Sequence, residues 1–171
     1  MKVYLDNAAT TKVDPEVLKV MEPYFSEEFG NPNSIHSWGQ RARIAVDEAR
    51  EKVARALNAE KSQEIIFTSC ATEANNLAIK GVVEYARLND PRFKGGKLPH
   101  IIISPIEHHC VYDTAKYLEK SGQAEVSWLS ADEYGLVDPT EIENLVKEET
   151  VLVSVMYVNN EVGTTEPIAK I

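Results

Sequence analysis

Three short polar segments carry the side chains best suited to chemistry. Residues 69–72 can bind an anion, His108 can move a proton, and the pair Asn159-Asn160 can donate hydrogen bonds from a carboxamide. Each segment directly follows an apolar run that is typical of a buried strand. Because ligands of parallel α/β sheets bind beyond the carboxyl ends of the strands, the pattern predicts one cleft shared by all three segments.

The first segment, Ser69-Cys70-Ala71-Thr72, consists of small residues between a predicted strand and a predicted helix. The first N–H groups of a helix lack partners and the helix dipole is positive there, so this end attracts an anion. Thr72 adds a hydroxyl donor and is also a candidate helix cap. A capped helix that binds no ligand is the alternative interpretation, and the segment alone does not decide between the two.

The other two segments also have simpler interpretations. A histidine at the start of a loop more often makes a local hydrogen bond than catalyses a reaction, and an Asn-Asn pair is usual in turns. The joint position of the imidazole and the carboxamides at strand ends nevertheless favours a binding site.

Metal binding and cysteine chemistry are less favoured by the sequence. The consecutive side chains of residues 108–110 rarely point in one direction, and no fourth ligand follows at zinc spacing. Cys70 and Cys110 are candidate nucleophiles, since one lies in a tight turn and the other opens a helix. A small buried apolar residue is the interpretation we favour for each of them.

The composition favours a globular protein of the cytoplasm. Hydrophobic residues make up 43% and charged residues 26% of the 171-residue chain, and the net charge of -9 argues against a nucleic-acid partner. No apolar run is long enough to span a bilayer, and residues 1–6 do not resemble a signal peptide. The two cysteines provide no disulfide framework, so we expect a reducing, cytoplasmic setting.

Strands and helices alternate along the chain, and this order predicts an α/β fold with a mainly parallel sheet and flanking helices. The predicted strands are 64–67, 100–104, 125–129 and 150–158. The predicted helices are 14–29, 37–57, one that follows Thr72, 110–121 and one that begins at Asp138-Pro139.

The predicted elements divide the chain into an N-terminal arm and helix, residues 1–30, and part of a larger α/β domain, residues 31–171. Residues 167–171 have the pattern of a first helical turn with no terminator after it. We therefore expect this chain to be the N-terminal part of something longer.

Five segments, in this order along the chain, resemble one enzyme family, the pyridoxal-phosphate cysteine desulfurases of the iron–sulfur-cluster and nitrogen-fixation type. They cover nearly the whole chain, and several are long, so together they are highly specific. The segments are Tyr4-Leu5-Asp6-Asn7-Ala8-Ala9-Thr10-Thr11, Gly30-Asn31-Pro32-Asn33-Ser34-Ile35-His36, Phe67-Thr68-Ser69-Cys70-Ala71-Thr72-Glu73-Ala74-Asn75-Asn76-Leu77-Ala78-Ile79-Lys80-Gly81, Glu107-His108 and Val158-Asn159-Asn160-Glu161-Val162-Gly163.

The resemblance implies part of the large domain of a fold-type-I enzyme that takes sulfur from L-cysteine and releases alanine. It implies that Ala71 and Thr72 hold the phosphate of pyridoxal 5'-phosphate. It implies that His108 stacks on the pyridine ring and relays protons as the catalytic residue. Asn160 would donate to the phenolic oxygen of the cofactor or to the substrate carboxylate, and the neighbouring Asn159 is the alternative for this role.

Several groups that the family uses are absent from this sequence. These are the Schiff-base lysine, the aspartate that pairs with the pyridine nitrogen, and the cysteine that accepts the sulfur. Cys70 and Cys110 do not occupy the family's cysteine position, and Lys80 and Lys116 fall within predicted helices. The chain alone is therefore expected to be inactive.

The resemblance also implies a homodimer that passes sulfur to an acceptor protein such as an iron–sulfur scaffold. Two alternatives remain open. One is a non-catalytic or split subunit that needs a partner chain, and the other is a related enzyme such as a selenocysteine lyase or an aminotransferase.

Overall fold

The computed structural model describes all 171 residues, which group into two compact units, residues 1–67 and residues 68–171. The first unit contains helices α1 (Pro15–Met21), α2 (Pro23–Ser26) and α3 (Ser37–Ala56). The second contains α4 (Ala71–Asn89), β1 (His100–Ile103), α5 (His109–Lys120), β2 (Glu125–Trp128), α6 (Pro139–Leu145) and β3 (Thr150–Ser154). The predicted division into residues 1–30 and 31–171 stays a prediction.

Helix α1 begins as the sequence predicts but ends early. The Asp14 carboxylate accepts a hydrogen bond of 2.8 Å from the Glu16 N–H, and Pro15 occupies the first helical position. The prediction of one helix to residue 29 is wrong, because α1 ends at Met21 and a separate short helix starts at Pro23. A proline has no N–H to donate to the preceding turn, so it interrupts the helix.

The predicted strand at 64–67 does not form. Residues Ser62–Glu64 make a 3-10 turn, Ile65 after it is extended, and Ile66 and Phe67 are exposed and lie outside any strand. The Arg50 guanidinium instead donates to the Ile65 carbonyl at 3.1 Å and lies 4.8 Å from the centre of the Phe67 ring. An apolar, β-branched run is compatible with a strand, but it becomes one only when another strand supplies ladder hydrogen bonds.

The sheet of the second unit confirms the predicted fold class. Its strands lie in the order β2-β1-β3, and both pairs are parallel. All four residues of β1 are buried, which explains why its run of isoleucines reads so clearly in the sequence. Ile101 and Ile103 pack with α4 and α5 on one face, whereas Ile102 packs with Leu129, Val137 and Ile142 on the other.

The third predicted strand is confirmed as β2, but β3 is shorter than predicted. It ends at Ser154, and an antiparallel bridge between Val158 and Thr165 closes the following segment into a hairpin. Helix α5 ends where expected, because Gly122 adopts a φ of 66° that favours glycine after a helix. No helix of the chain is both long and apolar enough to cross a membrane.

Candidate functional site

The start of α4 leaves its first backbone donors open. Ala71 and Thr72 are the first two helical residues, and Cys70 before them is extended with no side-chain cap. Thr72 therefore lies inside the helix and is not its cap. The Ala74 N–H bonds the Cys70 carbonyl at 3.1 Å, but the N–H groups of Ala71 and Thr72 precede any carbonyl that the helix itself could offer.

A glutamate fixes the turn that leads into this helix. The Glu73 carboxylate accepts hydrogen bonds from the Ser69 hydroxyl at 2.6 Å and from the Ser69 N–H at 2.7 Å. These two bonds, the hydroxyl first, hold the pKa of Glu73 below its ordinary value. Since both Ser69 donors are used in this way, Ala71 and Thr72 supply the donors that remain for a ligand.

The Cys70 thiol lies at the same helix start. Its side chain is exposed, so the prediction of a small buried residue at this position is wrong. Its pKa is lowered, first by the Glu73 N–H and then by the Ser69 hydroxyl, while the Glu73 carboxylate opposes the shift. The shift comes from hydrogen bonds to the sulfur itself, so the anion site rests on the backbone donors of the helix start alone.

His108 occupies the corresponding position at the start of α5. Its side chain caps the helix, because Nδ1 accepts a hydrogen bond of 3.1 Å from the Cys110 N–H. A backbone N–H can only donate, so Nδ1 is the acceptor and Nε2 carries the proton of the neutral ring. The Cys110 Sγ also lies 3.0 Å from Nδ1, and the Asn75 side-chain amide donates to this sulfur at 3.0 Å.

One cavity of about 530 Å³ joins the two helix starts. Thr72 and His108 both line it, so two of the predicted site residues come together. Ala71 precedes Thr72 directly but does not line the cavity, and neither does Asn160. The cavity is shallow and open to solvent, so the residues that line it, rather than its size, point to a ligand site. The remaining lining residues are Asn76, Lys80, His109, Cys110, Asp113, Thr114 and Tyr117.

The two asparagines of the third segment differ in what they contact. Asn159 is buried, and its amide nitrogen donates to the Ile106 carbonyl at 3.1 Å. Its Oδ1 accepts from the N–H groups of Glu161 and Val162. Asn160 is exposed, and its amide donates only to the adjacent Glu161 carboxylate at 2.9 Å. The side chain of Asn159 is therefore committed to the fold, whereas that of Asn160 is available. The ligand role of Asn160 stays a prediction.

Two buried or half-buried glutamates were not identified as site residues from the sequence. Glu107 accepts a hydrogen bond of 3.0 Å from the Ser154 hydroxyl at the end of β3, and burial raises its pKa. Glu166 accepts a hydrogen bond of 3.0 Å from the Val137 N–H, and its second carboxylate oxygen is buried without a partner. Only Glu107 has a signal in the sequence, its position directly before His108.

Comparison with known proteins identifies relatives along the whole chain. The profile of the aminotransferase class-V family matches residues 3–171. The chain is 48% identical over 170 residues to the cysteine desulfurase IscS of Dictyoglomus turgidum. This alignment covers 99% of this chain and 41% of that protein. It is 44% identical over 171 residues to a mitosomal cysteine desulfurase of Trachipleistophora hominis, covering 99% of this chain and 37% of that protein.

A solved structure shows that the likeness extends to the fold. A NifS-like protein superposes with a TM-score of 0.87 at 45% identity, over 98% of this chain and 43% of that chain. The chain therefore spans about 40% of the length of the relatives that it matches.

Proposed function

This chain belongs to the aminotransferase class-V family, and from that membership we propose that the complete protein is a cysteine desulfurase. It would convert L-cysteine to L-alanine and retain the sulfur as an enzyme-bound persulfide for transfer to an acceptor protein. The observation that carries the proposal is the cavity lined by both Thr72 and His108. The names of the relatives support the choice of L-cysteine as substrate.

Pyridoxal phosphate is the cofactor of this family, and the residues described above fit it. Its phosphate needs backbone and hydroxyl donors in a field that favours negative charge. Ala71 and Thr72 offer these donors at the N-terminus of α4, where the helix dipole is positive. The cofactor supplies an electron sink for negative charge that develops on the substrate.

His108 is the residue of this chain best placed to move a proton. Its Nδ1 is occupied by the cap of α5, so Nε2 is the nitrogen that remains for exchange with substrate or cofactor. We assign two roles to the His108 side chain: its ring stacks on the pyridine ring, and it relays protons. Asn160 is assigned a hydrogen bond to the phenolic oxygen of the cofactor or to the substrate carboxylate.

The remaining parts of the proposal concern the complete protein. The Schiff-base lysine, the aspartate for the pyridine nitrogen and the sulfur-accepting cysteine would come from outside residues 1–171. We also propose a cytoplasmic homodimer and an acceptor such as an iron–sulfur scaffold protein.

The test uses the complete natural protein with its cofactor bound. L-cysteine is added with a thiol reductant, and alanine and sulfide are both quantified. The proposal expects equal amounts of the two products, because each turnover releases one alanine and one sulfur atom. Alanine from selenocysteine alone would identify a selenocysteine lyase instead, and an oxo acid in place of alanine would identify an aminotransferase. Either result overturns the proposal.

A further inference from the structure

Three side chains form a connected cluster behind the imidazole of His108. Asn75 comes from the second turn of α4, and Cys110 comes from the first turn of α5. The Asn75 Nδ2 lies 3.0 Å from the Cys110 Sγ, which in turn lies 3.0 Å from the His108 Nδ1. Both Asn75 and Cys110 are half-buried, whereas the histidine that they lead to is exposed.

The direction of the hydrogen bonds in this cluster follows from the donors. The Cys110 N–H points at Nδ1 from 3.1 Å, so a proton on Nδ1 would face another proton. Nδ1 therefore accepts through its one lone pair, which the Cys110 N–H and the Cys110 thiol share. The Asn75 amide can only donate through its nitrogen, so the sulfur accepts at that side. The order is amide N–H to sulfur, then S–H to Nδ1.

We propose that the Cys110 thiol and Asn75 are positioning groups that act together with the backbone N–H of Cys110 to hold the His108 imidazole in one orientation, with Nε2 protonated. Cys110 acts on the ring directly, and Asn75 acts through the Cys110 sulfur. The importance of this for catalysis rests on the proposed function of His108.

The primary test observes the ring itself in the complete, cofactor-loaded protein. Histidine labelled with ¹⁵N in the ring shows by NMR which nitrogen carries the proton. The wild type should show an unprotonated Nδ1 for His108. The backbone N–H at position 110 remains in Cys110→Ala, so Nδ1 should stay unprotonated, but its signal should move away from that of Nε2 because one donor is lost. Cys110→Ser, which keeps a donor, should restore the wild-type pattern. Unchanged signals in Cys110→Ala would overturn the proposal.

The role of Asn75 is tested by a double substitution. Asn75→Ala should shift the His108 signals less than Cys110→Ala does, and it should add nothing in the Cys110→Ala background. Asn89→Ala is the matched control, because this asparagine lies on the same helix and donates only to the Tyr85 carbonyl. Additive shifts from the two substitutions would show that Asn75 does not act through the sulfur.

Turnover gives a second measurement. Cys110→Ala should lower kcat by about fivefold, the size expected for one neutral hydrogen bond, while KM and cofactor content stay unchanged. Cys110→Ser should recover most of that loss, and an equal loss in both variants would overturn the proposal. The NMR result does not depend on turnover. If the wild-type protein forms no alanine from L-cysteine, the proposed function is overturned, but the proposal about the position of the His108 ring is not.

Discussion

Two helices begin beside the same cavity, and they differ in whether a side chain caps their first N–H groups. Helix α4 starts after Cys70 with no side-chain cap, whereas the His108 side chain caps α5. An open helix start can bind an anion, and a capped start can hold the capping side chain in place. The difference suggests a division of labour in which α4 binds and α5 positions.

The two helix starts also treat a glutamate differently. Glu73 of α4 is exposed, and hydrogen bonds from Ser69 lower its pKa. Glu107 precedes α5 and is half-buried, and burial raises its pKa despite a hydrogen bond from Ser154. The charge is therefore stabilised at the open helix start and disfavoured at the capped one.

The largest expected effect tests whether these two helix starts are sufficient for catalysis. Residues 1–171 produced alone should form no alanine or sulfide from L-cysteine, even with added pyridoxal phosphate. The reason is that the Schiff-base lysine and the sulfur-accepting cysteine are not among these residues. The complete protein assayed under the same conditions is the control, and turnover by the isolated chain would show that it already holds a whole site.

The next largest effect concerns the capped helix start. In the complete protein, His108→Ala should lower turnover by roughly 10²–10⁴-fold, the usual contribution of a positioned proton-transfer group. Much of the cofactor should remain bound, because Ala71 and Thr72 still hold the phosphate, and its visible spectrum should shift. His109→Ala is the control and should have a much smaller effect. Equal losses in the two variants would place the catalytic imidazole elsewhere.

A smaller effect is expected at the open helix start. Ala71→Pro removes one N–H at the first helical position, where proline is well tolerated, so the helix itself should not suffer. Loss of one charge-assisted hydrogen bond should weaken cofactor binding by about tenfold or somewhat more, measured by titration of the apoprotein. The same substitution at the first position of α5, His109→Pro, should leave this affinity unchanged. Equal weakening in both would contradict the division of labour.

The smallest expected effect compares the two glutamates by thermal unfolding. The pKa of the Glu107 carboxyl is higher in the folded state than its ordinary value of 4.5. The folded state therefore loses stability as pH rises from this ordinary value through the raised one. Glu107→Gln should therefore raise Tm at pH 7, and the gain should fade towards pH 4.

Glu73 should show the opposite sign. Its lowered pKa contributes stability above the ordinary value of 4.5, which is lost as pH falls through the folded pKa. Glu73→Gln should therefore lower Tm at pH 7 and have little effect at low pH. A change in Tm of the same sign in both variants at pH 7 would contradict the two opposite pKa shifts.

Most elements that depend on local pattern were predicted, although the helix break at Pro23 was a local signal that was missed. The other failure occurred where a distant partner decides. The buried isoleucines of β1 and the aspartate and proline at the start of α6 are local signals, and both elements form. The apolar run at 64–67 carries an equally good strand pattern, but no strand of these residues pairs with it. Ladder hydrogen bonds are made between segments, so their absence leaves no mark in the run itself.

The site divides in the same way. Small residues before α4 and a histidine after β1 could be placed at strand and helix ends from spacing alone, and the cavity brings Thr72 and His108 together. The contact between Asn75 and Cys110 could not be predicted, because the two are 35 positions apart. Nor could the sequence tell which of two adjacent asparagines is buried, since both residues suit a turn equally.

The buried amide of Asn159 has a mechanical consequence. It fastens the loop before His108 to the loop that carries Asn160, through the Ile106 carbonyl on one side and the Glu161 and Val162 N–H groups on the other. These hydrogen bonds restrain the two loops together. When a ligand contacts one loop, the other is already held in place, so less conformational entropy of the protein is lost on binding.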